Sequence, residues 1–176
     1  IMKVTNLKYK TSKIMRPLAP FNFDATVFKP SHYPDPTKVY EKGKYWFALR
    51  LNDKVHGVKM INKGTIVRPK VAVFVFSARK LPAREVDAVA EEVSFRFGFN
   101  QGISDFIEKF RNNRVLGRFI KRWKGMRKSC AYDLYGLLMI GIFLQNTVVR
   151  RSVAMTKAML AQYGTLVRFD KKEVFL

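Results

Sequence analysis

Side chains able to do chemistry are scarce in the second half of this chain, and the most suggestive ones gather at one place. Gln145-Asn146-Thr147 is a polar triplet between two apolar stretches, and Arg150 and Arg151 follow within a turn. Leu134–Leu144 reads as one helix. Val148, Val149, Ser152, Val153, Met155, Ala158, Met159 and Tyr163 supply the apolar and small positions of a second. Asn146 or Thr147 suits the N-cap of that helix, and Gly164 suits its C′ position. The triplet is then a tight corner. A polar turn between helices needs no further reason to exist. A helix start also presents free N–H groups and positive potential to a phosphate, and two arginines one turn in would reinforce it.

The catalytic inventory is thin. Before Asp170, the helical half holds only Asp105, Glu108 and Asp133, none with a recognisable partner. Asp105 and Asp133 suit the starts of their helices. No phosphate-loop pattern, paired-cysteine zinc spacing or nucleophile elbow is present. Cys130 is the only cysteine, so neither an intramolecular disulfide nor a paired-cysteine metal site can form. His32 and His56 stand alone. No cofactor and no metal are expected.

Residues 109–128 are the other candidate. They hold Lys109, Arg111, Arg114, Arg118, Lys121, Arg122, Lys124, Arg127 and Lys128, with no acid among them. Steps of three and four put Arg111, Arg114, Arg118 and Lys121 or Arg122 on one face, provided the helix runs through Asn112-Asn113. A charge run is often only a solvated face. The lack of interleaved acid favours a polyanion. The whole chain points the same way, with 34 Lys+Arg against 13 Asp+Glu in 176 residues, a net charge of +21. Neutralising phosphates releases counterions, so nucleic acid is the simplest partner for such an excess.

The remaining elements must position these groups. Hydrophobic residues make up 48% of the chain and include 15 Phe, enough for a sizeable core. Residues 1–40 are weakly patterned and punctuated by Pro17, Pro20, Pro30, Pro34 and Pro36, though residues 21–28 alternate as a strand. Residues 45–51 and 55–61 form a hairpin across the turn at 52–54. Val71–Ser77 suits a sheet centre packed on both faces. From residue 84 to 99 the period becomes helical, and this helix should cover the sheet. Beyond it, residues 103–110 are a short helix, and Val115, Leu116, Phe119, Ile120 and Trp123 give a second apolar stripe. Residues 131–144 are apolar all round and should be central and buried. Their apolar part is too short to span a membrane, and the N-terminus has no secretory pattern. The tail after Gly164 is at most two short extended segments, broken at residues 170–173. The fold class is α+β: an N-terminal antiparallel sheet with a covering helix in residues 1–99, then an all-helical segment in residues 100–176.

Residues 132–164 carry a resemblance. Tyr132-Asp133-Leu134-Tyr135, Leu137-Leu138, Ile142-Phe143-Leu144-Gln145-Asn146-Thr147, Leu160, Tyr163 and Gly164 resemble the opening of the catalytic domain in the helix-hairpin-helix DNA glycosylases. The closest likeness is to the 3-methyladenine glycosylase II branch, whose members place a small antiparallel α/β domain ahead of the helices. The resemblance implies base-excision repair: an enzyme that bends double-stranded DNA, flips out a damaged, alkylated base and cleaves its N-glycosidic bond. It implies that Gln145, Asn146 and Thr147 form the turn that wedges the duplex. Arg150, Arg151, Arg118, Arg122, Lys124 and Arg127 would hold DNA. Tyr132 and Tyr135 read first as core residues of their helix, with the lining of a base pocket as the second reading. It further implies a monomer, no membrane, and a cytoplasmic or nucleoid-associated location.

The chain departs from the family in one respect. The Leu-Pro-Gly-Val-Gly-like hairpin loop and the catalytic Asp after it are absent. The resemblance places both beyond Leu176. It therefore implies that this is the N-terminal piece of a longer enzyme, with a catalytic domain truncated here and no catalytic residue in the chain. Such a piece would bind nucleic acid weakly and cleave nothing. Two other readings compete: a non-catalytic basic nucleic-acid-binding module, and an interaction domain whose basic surface meets an acidic protein.

Overall fold

The computed structural model describes residues 3–28, 36–130 and 133–176. Its centre is an antiparallel sheet of five strands. These are β2 (Tyr9–Met15), β3 (Lys38–Glu41), β4 (Lys44–Leu51), β5 (Lys54–Asn62) and β6 (Val71–Ser77), in the order β2-β6-β5-β4-β3. The expected hairpin is β4–β5. Asn52 and Asp53 turn it with positive φ, a conformation their short polar side chains tolerate. Alternation divides the strands between two cores. Tyr45, Phe47 and Leu49 of β4, Val58 and Met60 of β5, and Val71, Val73 and Val75 of β6 point to one face. Trp46, Ala48 and Phe76 point to the other. Burial on both faces explains the near-continuous apolar run of β6, as expected.

The first face is covered by helix α2 (Ala83–Arg96), which buries Val86, Val89, Ala90 and Val93 against it. Residues 21–28 overturn the strand expectation. Phe23–Val27 is a short helix, α1. Asn22 caps it by accepting from the Ala25 N–H at 3.1 Å, and Phe23, Thr26 and Val27 turn inward at helical spacing. Asp24 then accepts from the Tyr40 hydroxyl at 3.0 Å and the Gly43 N–H at 2.7 Å, tying α1 to the β3–β4 turn.

The second face is partly covered by a small sheet, of which sequence marked only the tail's two short extended segments. After the helical excursion the tail returns as a hairpin, β7 (Thr165–Phe169) and β8 (Lys172–Phe175). Strand β7 also runs parallel to β1 (Lys3–Asn6), giving the order β1-β7-β8. Val167, Phe169 and Val174 pack with Leu7, Trp46, Ala48 and Phe76. The Phe169 ring lies over Gly57, where any Cβ would come within 2.7 Å of ring carbons. Asp170, in the β7–β8 turn, accepts from Trp46 Nε1 at 2.8 Å and Lys59 Nζ at 2.7 Å. Burial alone would raise its pKa, but these donors hold the carboxyl below the usual range.

His56 sits on β5 opposite Leu49, 3% exposed, with no partner for Nδ1. Burial lowers its pKa. Glu85 opposes that shift, and Lys54 and Arg79 add to it. The folded chain therefore keeps His56 neutral at pH values where the unfolded chain binds a proton. Stability is expected to fall as pH drops from about 6.5 towards about 5, before Glu85 and Asp170 begin to protonate. Thermal unfolding of His56→Leu against the parent tests this. The parent should lose Tm across that window and the variant should not.

Candidate nucleic-acid interface

Four helices lie between β6 and β7 besides α2. They are α3 (Ser104–Phe110), α4 (Leu116–Arg122), α5 (Leu134–Leu144) and α6 (Val149–Tyr163). The continuous basic helix allowed by sequence does not form. Asn113 Oδ1 accepts from the Val115 and Leu116 N–H groups, both at 2.9 Å, and starts α4 afresh. Arg118, Arg122 and Lys124 are exposed, with Arg122 over the Trp123 ring at 5.5 Å. Helix α4 packs chiefly on α3 and has at most sparse contact with α5 or α6.

Arg127 leaves the DNA-facing set. It is 2% exposed and its guanidinium donates to three backbone carbonyls: Gln101 at 3.0 Å, Leu18 at 3.1 Å and Gly125 at 3.3 Å. Its own N–H donates to Thr26 Oγ1 at 3.1 Å. A side chain enclosed in this way cannot reach a phosphate. Arg127 clasps three segments of the first core instead.

The corner has the expected path with a different cap. Asp133 starts α5 by accepting from the Gly136 N–H at 2.7 Å. Gln145 ends α5, and Asn146 turns the chain with φ 49°. The N-cap of α6 is Val148, not Asn146 or Thr147, and no side chain caps the helix. The Ser152 hydroxyl donates back to the Phe143 carbonyl at 2.6 Å, fixing the start of α6 against the last turn of α5. Sequence reasoning counted Ser152 only as a small packing residue. Gln145, Asn146, Arg150 and Arg151 are exposed and Thr147 is half-buried. Neither α5 nor α6 contains an acid. Charge beside the corner is uniformly positive, and no side chain caps the first N–H groups of α6.

The expectation that α5 is buried is overturned. None of its residues is buried among the described elements, and Leu134 and Tyr135 are 73% and 68% exposed. Its only dense packing is on α6, which leaves most of an all-round apolar helix uncovered. A groove of about 460 Å³ runs beneath α5 and α6, lined in part by Tyr135, Met139, Phe143, Met159, Tyr163 and Leu176. Tyr132 lies outside the described residues. Among the described residues no group of three or more potential metal ligands occurs, and no helix is long and apolar enough to cross a membrane.

No protein-family model matches the chain, and no curated protein does. Solved structures do. The 3-methyladenine DNA glycosylase from Archaeoglobus fulgidus superposes with a TM-score of 0.74 at 14% identity, over 93% of this chain and 55% of that one. The fold is DNA-glycosylase-like. MBOgg1, in complex with a low-affinity DNA ligand, gives a TM-score of 0.62 at 18% identity, over 97% of this chain and 53% of that one. The 8-oxoguanine glycosylase/lyase from Clostridium acetobutylicum, in complex with double-stranded DNA containing cytosine opposite 8-oxoguanine, gives 0.61 at 15% identity over 97% and 54%. This glycosylase-like chain thus spans about half the length of the solved proteins it matches.

Proposed function

We propose that this chain is the duplex-gripping part of a base-excision DNA glycosylase acting on alkylated bases. The observation that carries the reading is the fold likeness over nearly the whole chain, with a TM-score of 0.74 to a 3-methyladenine DNA glycosylase. In this reading Gln145, Asn146 and Thr147 enter the duplex as a flipped base leaves it. Holding the gap open offsets the few kcal/mol that unstacking costs. Arg150, Arg151 and the N-terminus of α6 neutralise the phosphates beside the gap, with Arg118, Arg122 and Lys124 as further contacts. Tyr135 contributes to the base pocket. The uncovered face of α5 belongs inside a larger helical domain that also carries the hairpin loop and the catalytic Asp. The partner is double-stranded DNA, bound by a monomer inside the cell.

The acids at hand support a non-catalytic role for residues 1–176 on their own. Asp133 is engaged in capping α5, and Asp170 is held by Trp46 and Lys59. The chain is expected to bind duplex DNA weakly and to release no base. Arg150→Ala with Arg151→Ala should lower affinity and make the salt dependence shallower by about two units. Base release by residues 1–176 from an alkylated duplex would overturn the division of labour. An unchanged salt slope in the double variant would remove the corner from the interface.

A further inference from the structure

The second face of the five-stranded sheet is only partly covered by the small sheet, and what remains is cationic. Alternation puts Lys10 and Ser12 of β2, Phe74 of β6, Lys59 of β5, and Trp46 and Lys44 of β4 on this side. Register sets Ser12 beside Phe74, Phe74 beside Lys59, and Lys59 beside Trp46. The ammonium groups sit over the rings. Lys10 Nζ is 4.6 Å from the Phe74 centroid, and Lys59 and Lys172 are each 5.1 Å from that of Trp46. Lys8 precedes Lys10 at the strand spacing, with its N–H donating to the Ser77 carbonyl at 3.0 Å. Lys171 lies exposed in the β7–β8 turn. Among the described residues the acids beside these cations are Glu41 and Asp170. Glu41 is bound to Lys172 at 2.6 Å and lies 3.8 Å from Lys44, and Asp170 is bound to Lys59 at 2.7 Å.

The face shares no residue with the corner. The groove beneath α5 and α6 meets β4 at Ala48, Leu49 and Arg50, whereas the lysines surround its opening residues Lys44 and Trp46. A simple surplus of surface lysine would be spread evenly. Here rings and acids fix Lys10, Lys59 and Lys172 in place, so less side-chain entropy is lost when a polyanion docks.

We propose that this lysine-lined sheet face is a second nucleic-acid contact surface, which binds the phosphate backbone without reading sequence. It rests on the reading of the chain as a DNA-binding protein but uses none of the corner residues. Such a face would let the protein hold DNA on two sides.

The test is the salt dependence of binding to a random-sequence duplex. It compares the parent with Lys8→Gln, Lys10→Gln and Lys44→Gln combined, and separately with Arg150→Ala and Arg151→Ala combined. The lysine variant should bind at least about tenfold more weakly near 0.1 M salt and lose up to about three units of slope, equally for all sequences. Lys59 and Lys172 are left intact so that the small sheet stays docked. A Tm matching the parent verifies this, and if the variant does not fold, Lys8→Gln with Lys10→Gln alone takes its place. If only the arginine variant weakens binding, the sheet-face proposal falls and the corner stands. If the parent binds no duplex even at low salt, both fall. Binding to anionic vesicles in preference to duplex would also overturn the proposal.

Discussion

Arg127→Ala is expected to remove about 3 kcal/mol of folding stability, more than any other single basic substitution among the described residues. The arginine is enclosed, and its three acceptors are main-chain carbonyls of residues 18, 101 and 125. Truncation leaves those carbonyls without donors and a void beside Phe21, whose ring centroid lies 5.9 Å from the guanidinium carbon. Lysine should not rescue it, because one ammonium cannot span three carbonyls set around a planar fork. Urea denaturation gives the measurement, as a lower midpoint at unchanged slope. A conservative variant that stays folded should bind DNA as the parent does. An Arg127 variant with parental stability and weaker DNA binding would return this residue to the surface.

Gly57→Val should be nearly as damaging, by a different route. The introduced side chain would occupy the space of the Phe169 ring, with Cβ 2.7 Å from its carbons. The ring is itself buried between Phe76 and the rest of the second core, so it cannot swing aside. Overpacking of this kind costs about 1–3 kcal/mol, and here it should lift the β7–β8 hairpin off the sheet. Trp46 reports the event directly, since its Nε1 is bonded to Asp170 in that hairpin. Its fluorescence should become that of a more exposed indole. Adding Phe169→Leu should recover part of the loss, and the coupling between the two changes measures the contact. A Gly57→Val chain as stable as the parent would mean that the ring is not seated there.

The sheet centre and its helix were readable in sequence because their signals are local. Alternation over β4 and β5, a polar turn at Asn52-Asp53, and the change of period after Pro82 each lie within a few residues. Residues 21–28 misled because Phe21 and Phe23 alternate like a strand, while the Asn22 cap and the inward Thr26 and Val27 obey a helix. Strands β1 and β2 were missed because their side chains are mostly exposed and few of them are apolar, so no apolar period marks them. At the candidate site, the corner and the Asp133 cap were legible. Arg127 was not, because composition counts a basic residue without saying whether carbonyls enclose it. The exposure of α5 was equally hidden, since a helix apolar on all sides carries no mark of which neighbour covers it.

The parallel pairing of β1 with β7 has a consequence for how the chain acquires its shape. Lys3 lies beside Thr165, on the order of 160 residues away, whereas β4, β5 and β6 find their partners within a few tens of residues. Contacts that close so large a loop form late, because the entropy of closure must be met before they return any stabilisation. During synthesis the five-stranded sheet can assemble and wait. The second core cannot, and Trp46 stays open to water until β7 and β8 have left the ribosome. Completion of the helical excursion is therefore registered at the sheet, by a hairpin that closes over a tryptophan made much earlier.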